Sequence, residues 1–151
     1  MPDTQWLSTE EEQAWRGFLF AHLRLTERLA RSMGTATDLN YTDYMILVAL
    51  TDEPEGEMRL YAMSTALGWE KSRLSHHVTR MAARGLVERR ECPDDHRGVL
   101  IAITDHGRDQ LRAEAPHHVA SVRRLFLDHL TPEQLHAFAT LHEKVLPALN
   151  E

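Results

Sequence analysis

A single cysteine, Cys92, excludes an internal disulfide and fits a reducing compartment. No apolar run approaches the length that spans a bilayer, and MPDTQWLSTEEE lacks the basic and apolar regions of a secretion signal, so a cytoplasmic protein with no membrane partner is expected. G-x-S-x-G, the phosphate-binding loop and G-x-G-x-x-G are all missing, which leaves no enzyme class supported. Ten histidines invite a metal reading, yet no two stand four apart, no His-Glu-x-x-His occurs, and Cys92 has no second thiol. Solvated or internally satisfied histidines are the expectation, with no cofactor.

What is present is an ordinary globular composition. With 42% hydrophobic and 26% charged residues, 151 residues suffice for one domain with a real core. The informative stretch runs from Leu60 to Thr104. It reads as a short helix, a turn at Gly68 and a second helix to about Arg84, then two strands joined by the polar tip Pro93-Asp94-Asp95-His96-Arg97-Gly98. In the second helix Leu74, Val78 and Met81 recur at i, i+4 and i+7 and share one buried face. Arg73, His76 and Arg80 project from the opposite face. Ser72, Ser75 and Thr79 line one flank, and His77 and Arg84 the other, so this helix's outward surface carries cations, imidazoles and hydroxyls but no carboxylate.

Such a surface suits the DNA major groove, where Arg reaches guanine edges, hydroxyls serve several bases and phosphates take the remaining donors. A solvated amphipathic helix has the same pattern, so the context decides. Gly85 ends the helix as a C-cap. Leu86-Val87-Glu88-Arg89-Arg90 and Val99-Leu100-Ile101-Ala102-Ile103 are β-rich, and turn formers separate them. A helix-turn-helix carrying a charged hairpin is a winged helix-turn-helix, in which Arg97 at the tip enters an adjacent minor groove. Asp95 is read as a partner that orients an arginine.

The net charge of −6 opposes DNA binding only on average. Between Lys71 and Arg90 six cations stand against Glu88 alone, a local +5 that leaves −11 for the rest of the chain. A local basic face is enough for phosphate contacts, and the surplus acid elsewhere limits indiscriminate association. Moderate, steeply salt-dependent affinity follows. Protonation of His76 or His77 adds charge, so binding is expected to strengthen below about pH 6.5.

Before this stretch, Ser8-Thr9-Glu10-Glu11-Glu12 offers two overlapping capping boxes, Ser8 with Glu11 or Thr9 with Glu12. The helix that follows carries Trp15, Phe18, Leu19, His22, Leu23, Thr26, Leu29 and Met33 on one broad stripe until Gly34. Trp6 and Leu7 either fold back as a staple or meet a second subunit. Asn40 and Asp43 start the next helix, with Tyr44, Leu47, Val48 and Leu50 expected inside. Met58-Arg59-Leu60 is expected to add a very short strand to the hairpin. After Thr104 one long helix is expected to Leu130, with Leu111, Ala115, Val119, Val122 and Phe126 along one side and Pro116 bending it. Thr131-Pro132-Glu133-Gln134 restarts a helix striped by Leu135, Phe138, Leu141, Val145 and Leu149. These outer helices present more apolar face than one winged unit can cover, which points to an isologous homodimer. Two helices related by a two-fold axis then read half-sites about 10 bp apart.

Three segments carry a more specific likeness: Arg84-Gly85-Leu86-Val87-Glu88-Arg89, Cys92-Pro93-Asp94-Asp95-His96-Arg97-Gly98 and Ile103-Thr104-Asp105-His106-Gly107. Together they resemble the MarR family of multiple-antibiotic-resistance regulators, in which a GLVxR segment leads into a D-x-R wing and an LT-x-x-G start of the next helix. Ile103 departs from the commoner Leu. Trp69 to Arg80 matches the family's recognition helix. The resemblance implies a mainly α fold with a small β wing (α+β). A winged helix-turn-helix lobe at 39–104 is then flanked by dimerisation helices at 1–38 and 105–151, in a flat triangular homodimer.

It further implies a regulator, most often a repressor, that contacts a pseudo-palindromic operator through Ser72, Arg73, Ser75, His76, His77, Arg80, Asp95 and Arg97. In the family, small aromatic or lipophilic effectors bind between the dimerisation helices and the DNA-binding lobe. The matching residues here are Trp15, Arg16, Leu19, His22 and Tyr44, an aromatic wall with a nearby cation. Some members sense zinc, for which His117 and His118 beside Pro116 are the candidate ligands. Others sense peroxide through a cysteine near the first helix, and Cys92 is in the wrong place for that. The rival classes are a winged-helix protein-interaction module without DNA binding and a metal-responsive sensor. Cations kept on both helix face and wing tip argue against the first.

Overall fold

The computed structural model describes residues 4–149, without the side chains of His96 and Arg97. In order the elements are α1 (Thr9–Ser32), α2 (Tyr41–Thr51), β1 (Glu57–Arg59), α3 (Leu60–Leu67), α4 (Lys71–Ala83), β2 (Val87–Cys92), β3 (Asp95–Ile103), α5 (Asp105–Leu125), a 3-10 turn (Leu127–His129) and α6 (Pro132–Leu149). The fold is mainly helical with one three-stranded antiparallel sheet in the order β1-β3-β2, as expected of a winged helix. Among the described residues no helix is long and apolar enough to cross a membrane.

Local chemistry sets the boundaries. Of the two overlapping boxes, Ser8 and Glu11 form the one that caps α1, and Asn40 and Asp43 form a reciprocal box on α2. Helix α4 closes with a Schellman motif: the Gly85 N–H donates to the Ala82 carbonyl at 3.0 Å and the Leu86 N–H to the Met81 carbonyl at 3.1 Å. Gly85 holds φ at +73°, where a side chain is strained. Buried Met81 and Leu86 supply the hydrophobic contact that accompanies such a cap.

The core joins α2, α3, α4 and the sheet through Leu39, Ile46, Leu47, Leu50, Met63, Leu74, Val78, Met81 and Ile101. Helix α2 is apolar nearly all round because it runs through the middle of this lobe. That is why Ile46 is fully buried where the one-sided stripe named Val48, which is only half-buried. Thr104 and Gly107 weld the sheet to α5. The Thr104 hydroxyl accepts from the Gly107 N–H at 3.0 Å and reaches the Gly85 and Leu86 carbonyls. A Cβ on Gly107 would meet the Leu86 oxygen at 2.2 Å, so only glycine fits this position of the motif.

Three expectations are corrected. The hairpin tip is the short Pro93-Asp94 turn, because β3 already begins at Asp95 and a bulge at Glu91/Cys92 absorbs the irregular register. Leu60 opens α3 and Glu57 takes its place in the short strand. Helix α5 stops at Leu125 instead of continuing to Leu130, and its buried residues are Gly107, Glu114 and Ser121, one seven-residue step apart. Of the expected stripe, Leu111, Ala115, Val122 and Phe126 are half-buried, Leu111 against the core, and Val119 is exposed.

Trp6 is 84% exposed, so it does not fold back as a staple. Both α1 and α2 lie against α5. Yet α6 buries no residue, and Trp15, Phe18, Leu141, Val145 and Leu149 stand in solvent in the single chain.

Candidate nucleic-acid interface

Helix α4 turns Leu74, Val78 and Met81 into the core, as its periodicity predicts, and leaves Ser72, Arg73, His76 and Arg80 exposed on the far side. Its N-terminus is fixed by a residue the sequence reading missed. Glu70 is the N-cap, and its carboxylate accepts from the Ser72 and Arg73 N–H groups at 2.9 Å each and from the Ser72 hydroxyl. Chiefly the Ser72 hydroxyl, then these backbone donors, pull the Glu70 pKa down to about 2. A fixed negative charge therefore stands beside the outward face. Glutamate is not among the favoured caps, so the pattern Glu-x-Ser carried little signal.

Ser75 is held from the wing side. Arg89 on β2 donates to the Ser75 carbonyl at 3.1 Å and the Thr79 hydroxyl at 3.0 Å, with the Ser75 hydroxyl 3.3 Å away. Recognition helix and wing strand are thus clipped together along one flank.

The opposite flank differs from expectation. His77 does not project outward; its side chain is 14% exposed and its Nε2 lies 2.8 Å from Oδ1 of the fully buried Asp43. Arg84 donates to the other Asp43 oxygen at 2.7 Å and to the Asp38 carbonyl at 2.8 Å. A carboxylate in the core is tolerable only when such donors surround it, and α4 supplies them. His77 and Arg84 therefore tie α4 to α2. Arg80 stays at the surface with its Nη2 3.0 Å from His77 Nδ1.

The +5 counted from the sequence overstates the free charge, because Arg84 is paired with Asp43 at 2.7 Å and Arg90 with Glu88 at 2.8 Å and Glu57 at 3.3 Å. On the wing, Asp95 lies 3.8 Å from Arg59. The backbone of Arg97 belongs to β3, while its side chain, and with it the expected minor-groove contact, lies outside the described residues. Cys92 is buried against Gly98.

The five candidate effector residues do not converge. Trp15 is 54% exposed and Arg16 pairs with Glu12 at 3.4 Å on the surface. Leu19 is half-buried, and Tyr44 is enclosed against His118 with ring centres 4.4 Å apart. Only His22 lines a groove, of about 740 Å³, between α1 and the α5–α6 end, with Phe18, Leu25, Phe126, Phe138 and Leu141. Tyr44 lies against α5 instead, beside His118, and does not line that groove.

Beside Tyr44 is a buried polar group that no motif announced. Glu114 accepts from the Thr37 hydroxyl at 2.7 Å through one oxygen, while its other oxygen and His118 Nδ1 have no hydrogen-bond partner among the described residues. Burial pushes the His118 pKa down and the Tyr41 and Tyr44 pKa values up. His117, one residue away, is exposed, so the two histidines do not converge as a ligand pair. Among the described residues no three His, Cys, Asp or Glu side chains gather as a metal-binding group.

The helix-turn-helix, its three-stranded wing and the cationic outward face of α4 define a winged-helix regulator of transcription. A MarR-family sequence profile matches residues 37–98. The transcriptional regulator HosA of Escherichia coli O111:H- is 31% identical over 137 residues, covering 89% of this chain and 99% of HosA. The crystal structure of AbsC, a MarR family transcriptional regulator from Streptomyces coelicolor, superposes with a TM-score of 0.85 at 40% identity, covering 97% of this chain and 98% of AbsC. Sco3205, a MarR family regulator from the same organism solved in complex with DNA, reaches 0.89 at 33% identity over 100% of this chain and 94% of its own. The chain belongs to the MarR family of transcriptional regulators, whose winged helix is a DNA-binding module and which are not enzymes.

Proposed function

We propose that two copies of this chain form a homodimeric repressor that places α4 of each copy in successive major grooves of a pseudo-palindromic operator. The observation that carries the reading is the division of α4: one face is core, and the other presents Ser72, Arg73, His76 and Arg80 to solvent. Lys71 and Arg73 supply phosphate or base contacts near the helix start, and Arg80 supplies a guanine-type donor fork about two turns on. The wing adds Arg97 in the minor groove. His77 and Ser75 act from behind this surface, through the inward contacts described above.

Dimerisation is supported by the apolar faces of α1 and α6, which a single chain leaves in water. A repressor released by a small aromatic or lipophilic effector is supported by the groove between α1 and the α5–α6 end. Its apolar lining suits a ring, Arg24 and Arg28 at its edge suit an anionic group, and a second copy closes its open side. A few kcal/mol of differential affinity between two spacings of the recognition helices is enough for release.

The test is an electrophoretic shift on the DNA flanking the protein's own coding region. Wild type shifts that DNA, with affinity falling steeply between about 50 and 200 mM salt. Arg80→Ala and Arg97→Ala weaken it, and benzoate, as the probe effector, releases wild type more readily than Arg28→Ala. No shift at low salt overturns the operator reading, and equal shifts by wild type and Arg97→Ala overturn the wing contact.

A further inference from the structure

Where a flank of α4 meets α2, three side chains form a chain, Asp43 of α2 with His77 and Arg80 of α4. Asp43 is completely buried, and both of its oxygens are in use: Oδ1 faces His77 Nε2 at 2.8 Å, and Oδ2 accepts from Arg84 Nη1 at 2.7 Å and from the Asn40 N–H at 3.1 Å. On the far side of the same imidazole, Arg80 Nη2 lies 3.0 Å from Nδ1. These partners allow only one arrangement of protons. A carboxylate accepts and never donates, so Nε2 carries the hydrogen, and a guanidinium donates and never accepts, so Nδ1 offers a lone pair. Asp43 thus selects the tautomer that Arg80 needs.

We propose that His77 is a positioning residue: held by Asp43, it fixes the direction of the Arg80 guanidinium and so determines which base pair Arg80 discriminates. The inference rests on the reading that α4 enters the major groove. Arginine has a long, flexible stem, and a flexible donor binds many phosphates and bases equally. A donor held in place before binding loses less freedom on contact and gains directional selectivity. The His77 bond uses one Nη2 hydrogen and leaves the other, with Nη1 and Nε, for a base edge. Because Arg84 anchors the same carboxylate and also reaches the Asp38 carbonyl, the reference point for Arg80 is the buried Asp43 in the middle of the lobe.

A residue that merely stabilised α4 would affect all base positions alike. The discriminating experiment is selection of bound sequences from a randomised duplex library with the full-length protein, together with thermal melts. Wild type yields a two-fold-symmetric motif, and Arg80→Ala loses preference at one position per half-site. His77→Phe, which cannot serve either neighbour, loses preference at that same position by about fivefold or more while other positions hold. His77→Gln, whose amide donates to Asp43 and whose carbonyl accepts from Arg80, keeps the wild-type motif.

Full preference in His77→Phe, uniform loss at all positions, or failure of His77→Gln to rescue overturns the proposal. Nitrogen NMR of the unmodified protein provides a check that no variant's folding can spoil: His77 shows a protonated Nε2 and a bare Nδ1, and the reverse tautomer refutes it. If wild type selects no sequence at all, the operator reading falls, and this inference with it. If wild type selects a motif that His77→Phe reproduces, only the inference falls.

Discussion

The two halves of this molecule are finished to different degrees. The lobe formed by α2, α3, α4 and the sheet closes on itself: Ile46, Leu47, Leu50, Met63, Val78, Met81 and Ile101 are completely enclosed. The flanking helices are the reverse, since α6 buries nothing and α1 buries only Leu29 along 24 residues. Sequence hydrophobicity alone does not separate them, because both carry regular apolar stripes. What separates them is the presence of a second surface. The lobe supplies its own, and the helices wait for one. On the proposed dimer, the enclosed lobe and the apolar outer helices can be altered independently.

Substitutions sharpen that contrast. Leu47→Ala removes a fully enclosed side chain and is expected to cost about 2–5 kcal/mol, measured by chemical denaturation at fixed protein concentration. Leu149→Ala, at a position 72% exposed in the single chain, costs far less in the lobe. Equal losses would erase the distinction. Next in size is Gly107→Ala at the junction of the two halves, where the new methyl overlaps the Leu86 carbonyl. It is expected to cost about 1–3 kcal/mol, and a neutral melt would show that the joint has slack. Phe18→Glu combined with Leu141→Glu leaves the denaturation of the lobe nearly unchanged and shifts sedimentation from dimer to monomer. A dimer that persists would place the assembly surface elsewhere.

The smallest effect comes from pH. Burial lowers the His118 pKa from its ordinary 6.5, so the unfolded chain binds the proton more readily than the folded one. Stability is therefore complete above pH 6.5 and declines as pH falls from there toward the depressed folded value. His118→Phe removes that slope while keeping the ring contact with Tyr44, and an unchanged slope would assign it to another group. Glu70 works in the acid range with the same sign: its contribution is present above about 4.5 and is lost as pH falls through about 2.

What could be read from the sequence followed its local rules. Leu74, Val78 and Met81 declared the inner face of α4 by their spacing, the Ser8 and Asn40 caps declared helix starts, and Gly85 declared an end. The wing and the Thr104–Gly107 junction were legible through a family pattern whose physical cause became visible only in the close approach to Leu86. What escaped was long-range. Asp43 lies 34 residues from His77 and 41 from Arg84, and periodicity says which flank a side chain occupies without saying what faces that flank. The same limit hid the packing of Tyr44 against His118 of α5, away from the groove beside His22. Glu114 escaped because a carboxylate on a helix is read as solvated until something encloses it.

One joint has a mechanical consequence. Because α5 starts on Thr104, rigidly seated against Leu86, its 21 residues form a lever about 30 Å long whose short end is bolted to the reader. A tilt of about 5° imposed at the far end swings that reader by about 3 Å, an amplitude set by the helix's length.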